Sequence, residues 1–443
     1  MNFYGKILIR KIIIVLFLII SNLAGQDFVD ESDPIIVDSI RITGNTTTEE
    51  HIILRELDFG IGDTISQNSI LFNKERVFSL GIFNKVEMYV AKDSTINVLN
   101  IDVTESWYIY PLPFLRLREN SFKRSSYGLG VLYKNFRGRN ETLWALITFG
   151  FDPTYMLYYY NPVLITGKNL TFGLSLGFTD LENRSISSEI LNGQEFSYNY
   201  IHGQISFGYR INQYNMITHS SLYEYVELPE KISTLSGSNE NIDRTFSMGL
   251  TYEYDNRNLK QFSNNGTFGK FDIIHKGFGI NNISYNILMA DVRQYNIVFG
   301  DLTTKWRGAY RGTFGSSIPF YALSLLGDDE YIRGHRFNKR EGNNYLITSL
   351  EVNYPIIKEL DFSLDLPLLP KNLTSARIGL YTNIFVDSGT TFNNGEALKI
   401  RSVDTGWGLG LTLLILPYNA IRFEYAFNEL SRGEFILETG FSF

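Results

Sequence analysis

An arginine stands beside a glycine in Ile332-Arg333-Gly334-His335-Arg336-Phe337, in a long polar loop of a strand-rich chain. A guanidinium is always charged and presents a planar fork of donors. Its chemistry is therefore non-covalent pairing with carboxylates, bidentate where geometry allows. Other chemistries have little to work with. The 443-residue chain has no cysteine, which removes disulfides and thiolate metal sites. His51, His202, His219, His275 and His335 show neither HxxxH nor HExxH spacing, so sequence offers no metal set. No P-loop, GxSxG or dinucleotide fingerprint occurs, and no carboxylate pair or nucleophile stands out. The reading is a non-enzyme without a cofactor. A net charge of −7 argues against nucleic acid as the partner.

The elements that must position Arg333 are strands. From Tyr108 onward the pattern has period two and no convincing helix. In Thr171–Phe178 the even positions are large and apolar and the odd ones are Gly, Ser or Thr; Trp407-Gly408-Leu409-Gly410-Leu411 repeats this. Such alternation fits a soluble sandwich as well as a membrane barrel. The 28 Tyr and 33 Phe with near-neutral mean hydropathy favour a barrel. So does the C-terminal run Phe435–Phe443, which carries Phe, Leu, Thr, Phe and Phe on one face and ends on Phe443, as an aromatic girdle would. Segments begin near Tyr108, Ser125, Glu141, Met156, Leu170, Phe196, Met216, Thr245, Thr267, Ile283, Leu302, Tyr345, Ala376, Trp407, Ala420 and Glu434. They number sixteen, an even count suited to a closed antiparallel barrel.

The N-terminal part differs. Lys6, Arg10 and Lys11, then Ile12 to Ile20, then Ala24 and Gly25 read as a signal peptide over residues 1–25, the mature chain starting near Gln26. A single membrane anchor is the alternative, but nine apolar residues fall short of the roughly 20 a span needs. Residues 35–105 read β-α-α-β-β. A strand Ile36–Ile42 stops at Gly44-Asn45, and Thr46 and Thr47 with Glu49 and Glu50 offer capping boxes for a helix through Leu57. Ser66 caps a second helix that ends by Gly81, and strands Phe83–Ala91 and Ile96–Val103 follow.

Ile42-Thr43-Gly44-Asn45, Gly62-Asp63, Leu80-Gly81-Ile82-Phe83, Asn135-Phe136-Arg137-Gly138-Arg139-Asn140, Tyr160-Asn161-Pro162 and the Arg333 loop together resemble the BamA/TamA superfamily of outer-membrane proteins. The resemblance covers nearly everything after residue 25. It implies a mainly β chain: one small α+β POTRA domain over 35–105 in the periplasm, and a 16-stranded antiparallel transmembrane barrel over 107–443. Ile332, Arg333, Gly334 and Phe337 match the family's sixth-loop motif, with His335 and Arg336 as a departure in spacing. In that family the loop arginine folds into the lumen onto acidic residues.

Parity supplies such residues independently. Leu346, Leu350, Val352 and Tyr354 face lipid, which turns Glu351 inward; Ile378, Leu380, Ile384 and Val386 face out, which turns Arg377, Asn383 and Asp387 inward. Glu351 and Asp387 are the expected partners of Arg333, the alternatives being a solvated loop cation near Asp328, Asp329 and Glu330 and ordinary lumen lining. Arg422 and Glu424 read as lumen lining, with membership of the Arg333 network as the alternative. The implied function is folding and insertion of β-barrel proteins, or alternatively secretion of a polypeptide across the outer membrane. A passive porin is a third reading, one with no use for a POTRA domain. A seam between first and last strands would template incoming strands. Pro111 and Pro113 at the first strand would each remove a donor from one side, unless they belong to the linker, and Gly440 and Phe443 mark the last strand. The partners implied are unfolded outer-membrane proteins or a secreted polypeptide, outer-membrane lipid, and periplasmic accessory proteins at the edge strand Phe83–Ala91. The nine or so residues between Gln26 and the first POTRA strand are too few for the plug helix expected of a translocator.

Overall fold

The computed structural model describes residues 34–93, 95–118, 121–327 and 330–441. Residues 1–25, expected to be a signal peptide, and Phe443 lie outside the described residues. The N-terminal domain comprises β1 (Ile35–Ile36), β2 (Ser39–Thr43), α1 (Glu50–Leu54), β3 (Thr64–Ile65), α2 (Gln67–Phe78), β4 (Phe83–Asp93) and β5 (Ile96–Glu105). β1 pairs with β3, and a three-stranded sheet runs β2-β5-β4, with β2 parallel and β4 antiparallel to β5. Ser66 caps α2 as its sequence indicates, accepting from the Ser69 N–H at 3.2 Å, and Ile70, Val77 and Phe78 are buried on the sheet.

Two local readings change. The first strand divides because Val37 donates to the Asp63 carbonyl at 3.0 Å, which splits β1 from β2. The capping boxes do not form: α1 starts after Glu49 without a side-chain cap and ends at Leu54. The threonines are instead engaged by Glu105. Its carboxylate accepts from Thr46 Oγ1 (2.7 Å), the Thr47 N–H (3.0 Å), and the Thr48 N–H and Oγ1 (both 2.7 Å). A carboxylate with four donors outcompetes neutral caps.

Sixteen strands then form one continuous antiparallel sheet. The first eight are β6 (Ile109–Arg118), β7 (Ser121–Phe136), β8 (Glu141–Gly150), β9 (Thr154–Asn161), β10 (Leu170–Glu182), β11 (Ser197–Arg210), β12 (Asn215–Glu227) and β13 (Ile242–Asp255). Next come β14 (Gly266–Lys276), β15 (Tyr285–Phe299) and β16 (Leu302–Gly315). A long loop carrying the two-stranded β17 (Ser324–Leu326) and β18 (Arg340–Gly342) intervenes. The last five barrel strands are β19 (Asn344–Ser363), β20 (Ser375–Phe392), β21 (Asp404–Leu416), β22 (Asn419–Asn428) and β23 (Gly433–Thr439). Each barrel strand begins within four residues of its expected start. Parity divides the faces: Ile384 is 61% exposed on the outer surface, whereas Glu351 is 0% exposed inside. One helix escapes a period-two reading, α3 (Ile186–Asn192), capped by Ser185 and stopped by Gly193 at φ +77°.

The N-terminal domain packs over one end of the barrel. Its core continues through Val163, Leu259, Phe262, Tyr381 and Leu416 of the barrel's turns and strands. Arg76 is fully buried there, donating to the carbonyls of Gln213 (2.7 Å) and Asp255 (3.1 Å). Arg210 grips Glu56 at 2.6 and 2.9 Å, and Arg377 meets Glu75 at 2.7 Å. Burial pushes the Glu56 carboxyl up, but Arg210, Lys260 and Arg76 outweigh it and hold Glu56 below the usual carboxylate range. β4 is an edge of its sheet. Its first residues face the barrel, with Asn84 donating to the Asn372 carbonyl at 2.6 Å, and Glu87, Tyr89 and Ala91–Asp93 are exposed.

Candidate functional site

The loop between β16 and β19 folds back into the lumen and delivers Arg333 to the inner faces of β19, β20 and β22. Its Nε and Nη2 donate to the two oxygens of Asp387 at 2.7 and 2.9 Å, a bidentate pair, and its backbone N–H adds a third bond at 3.2 Å. Nη1 donates to Glu351 at 3.2 Å and to Glu424 at 2.8 Å. The guanidinium carbon lies 3.5 Å from the centroid of the Phe385 ring. Glu351 also meets Lys305 at 3.7 Å, and Arg422 links Glu424 (3.4 Å) to Glu438 (2.5 Å). Arg336 completes the set at 3.3 Å from Glu438. Four cations (Lys305, Arg333, Arg336, Arg422) thus face four carboxylates (Glu351, Asp387, Glu424, Glu438), the balance that buried charge requires.

Close backbone approach makes this seating fit. Gly334 has φ +89°, and a Cβ there would lie 2.8 Å from the Phe427 carbonyl oxygen. Opposite it on β21, a Cβ on Gly406 would lie 1.6 Å from the Arg333 carbonyl oxygen, and one on Gly408 2.7 Å from Phe385. β21 therefore presents a bare inner face against which the loop lies. Below the cluster, Lys305 Nζ sits 3.7 Å from the centroid of the Phe262 ring, which packs 4.7 Å from Tyr381. The loop's charged anchor is thus in contact with the interface that holds the N-terminal domain.

Of the residues singled out in sequence, Arg333, Gly334, Glu351 and Asp387 meet here, and Ile332 is buried among Leu326 and Ile347. Phe337 does not join them: it is 46% exposed, with Arg336 5.8 Å above its ring. Tyr331 takes the aromatic position instead, its hydroxyl donating to Glu438 at 2.5 Å. Glu424 is more than lumen lining, since it accepts from Arg333 directly. Sequence reading also missed Phe385, Gly406 and Lys305. An inward aromatic on a lipid-facing strand and the inward run Gly406, Gly408, Gly410 were the available signals.

The second feature is the seam. β6 pairs with β7 and β23 with β22, and among the described residues no ladder joins β6 to β23. Pro111 and Pro113 lie within β6, opposite Val131 and Leu129. In the same register the Lys134 N–H donates to the Tyr108 carbonyl at 2.8 Å. Even-numbered positions therefore bond to β7, and the odd-numbered prolines turn their missing N–H toward the free edge. Gly440 lies just past the end of β23 at φ +126°, its N–H donating to the Ala420 carbonyl at 2.8 Å.

Comparison with known proteins agrees with this architecture. Residues 135–443 match the model of the Omp85 superfamily domain, and residues 35–106 match the POTRA family described as surface antigen variable number repeat. Among solved structures, BamA from Haemophilus ducreyi lacking POTRA domains 1–3 is similar at TM-score 0.52 and 18% identity, over 93% of this chain and 84% of that one. CdiB from Acinetobacter baumannii aligns at TM-score 0.50 and 13% identity, over 92% and 73%. CdiB from Escherichia coli aligns at TM-score 0.52 and 9% identity, over 94% and 91%. At these identities the likeness is one of fold. With the family model spanning more than two thirds of its length, the chain belongs to the Omp85 superfamily, as a POTRA-bearing barrel of the bacterial outer membrane.

Proposed function

We propose that this protein folds and inserts β-barrel proteins into the outer membrane, with its POTRA domain in the periplasm. Superfamily members handle outer-membrane or secreted polypeptides. The observation that carries the more specific reading is the free edge of β6 facing β23. Two donors are absent from that edge at Pro111 and Pro113, which removes about 1–3 kcal/mol from any closure by backbone pairing. The seam is weakened while its carbonyls and the whole outer edge of β23 remain available to an incoming strand. Arg333 anchors the loop inside, so the lumen stays occupied and the client's path is lateral. The exposed half of β4 is suited to receiving an extended client or an accessory subunit by strand addition.

Depletion of the protein followed by a census of outer-membrane barrels tests this. Broad loss of barrels is the expected result. Loss of one secreted protein with barrels intact would replace insertion by translocation, and a change in ion conductance alone would leave a porin.

A further inference from the structure

We infer that His335, Asp404 and Glu429 form a binding site for a single zinc-type divalent cation, which staples the loop tip to the last strands of the barrel. Histidine spacing in the sequence gives no hint of it, because the ligands come from three segments: the turn after Arg333, the first residue of β21, and the turn between β22 and β23. Their donor atoms all lie within 4.8 Å of one another, and His335 Nε2 is 2.7 Å from a Glu429 oxygen. His335 and Asp404 are buried and Glu429 is half-buried. A tetrahedral zinc would draw such donors to about 3.3 Å apart, a change within the reach of side-chain rotation.

Each ligand is held in place before any ion arrives. The His335 N–H donates to the Ile332 carbonyl at 2.8 Å, and Gly334 seats the turn against the Phe427 carbonyl. Asn428 Oδ1 accepts from the Leu430 and Arg432 N–H groups, both at 3.0 Å, which fixes the turn that presents Glu429. Arg340 donates to Asp404 Oδ1, orienting that carboxylate from outside as outer-shell groups do and leaving Oδ2 for an ion. One imidazole and two carboxylates suit zinc with water in the fourth position; calcium and magnesium require more oxygen ligands.

Full-length protein without an affinity tag is purified in detergent, stripped with chelator, and titrated with Zn²⁺ at pH 7.5 by calorimetry. The temperature of its heat-modifiable gel shift is followed in parallel, and Co²⁺ serves as a spectroscopic probe of tetrahedral nitrogen–oxygen ligation. The expected result is saturable 1:1 binding with a rise in the transition temperature, both lost in His335→Gln and Glu429→Gln and both kept in His275→Gln on the remote strand β14. The metal-free gel shift shows whether each variant is folded, and the wild-type titration stands without them. Absence of saturable binding, equal binding by His335→Gln, or stabilisation by acid alone would overturn the site and leave a histidine–carboxylate ion pair.

Discussion

Replacing Arg333 by alanine removes a cation that touches Asp387, Glu351 and Glu424 together. Lys305 remains near Glu351 and Arg422 near Glu424, but Asp387 keeps no partner among the contacts described for the cluster. Breaking a buried pair from one side costs about 3–5 kcal/mol, mostly because the abandoned charge stays buried. At 1.36 kcal/mol per decade this lowers the docked-to-released ratio of the loop by roughly two to four orders of magnitude. Limited trypsin digestion of the folded barrel reads this directly, since Lys339 and Arg340 follow the anchor. Arg333→Ala should be cut in the loop far faster than wild type and should lose its heat-modifiable form at lower temperature, with the POTRA domain still folded. Because the cost lies in the orphaned carboxylate, adding Asp387→Asn should recover part of the loss, giving a non-additive double-mutant cycle. Equal digestion and heat-modifiability of Arg333→Ala and wild type would refute the latch. Strict additivity with Asp387→Asn would refute its stated cause.

Three further outcomes are expected. Gly406→Val should resemble Arg333→Ala in loop digestion, because a side chain there collides with the Arg333 carbonyl; an undisturbed loop would mean that β21 does not form its seat. Acid should loosen the turn into α1. Burial pushes Glu105 up, but the bonds from Thr48, Thr46 and Thr47 win and hold it below the usual range. A carboxyl with a depressed folded value stabilises above its unfolded value of about 4.3 and loses that contribution as pH falls through the folded one. Glu105→Gln should therefore lower domain stability near neutral pH and flatten its acid limb, measured by protease resistance of residues 46–57 against pH; an unchanged limb would remove Glu105 as the titrating group. Glu56→Gln should loosen the POTRA domain on the barrel without unfolding either, seen as faster cleavage near Gln213; unchanged cleavage would mean that the apolar interface with the Arg76 and Arg377 contacts holds the domain without Glu56.

The barrel was legible because its physics is local. Side chains alternate every residue, one face meets lipid, and the strand starts and the inward turn of Glu351 and Asp387 follow from parity alone. Parity says nothing about distance across the lumen. Glu424 therefore read as lining although it stands 2.8 Å from Arg333, and Phe337 read as part of the motif although it points away. The same limit hid His335, Asp404 and Glu429, whose ring nitrogen and carboxylates meet only after three turns close. Thr46 and Thr47 failed for another reason. A capping box is a local rule, and a carboxylate 58 positions further along the chain from Thr47 supplied a stronger acceptor. The docking of POTRA domain on barrel, through Arg76 and carbonyls of distant turns, left no trace in periodicity.

In the proposed function the β6–β23 seam opens to receive a client strand. Cysteines introduced at Tyr110 and Gly440 test it in a chain with no cysteine of its own. Oxidation to the cross-linked form should block barrel insertion and growth complementation, and reductant should restore both. A bond that forms fully and leaves insertion and growth intact would contradict it.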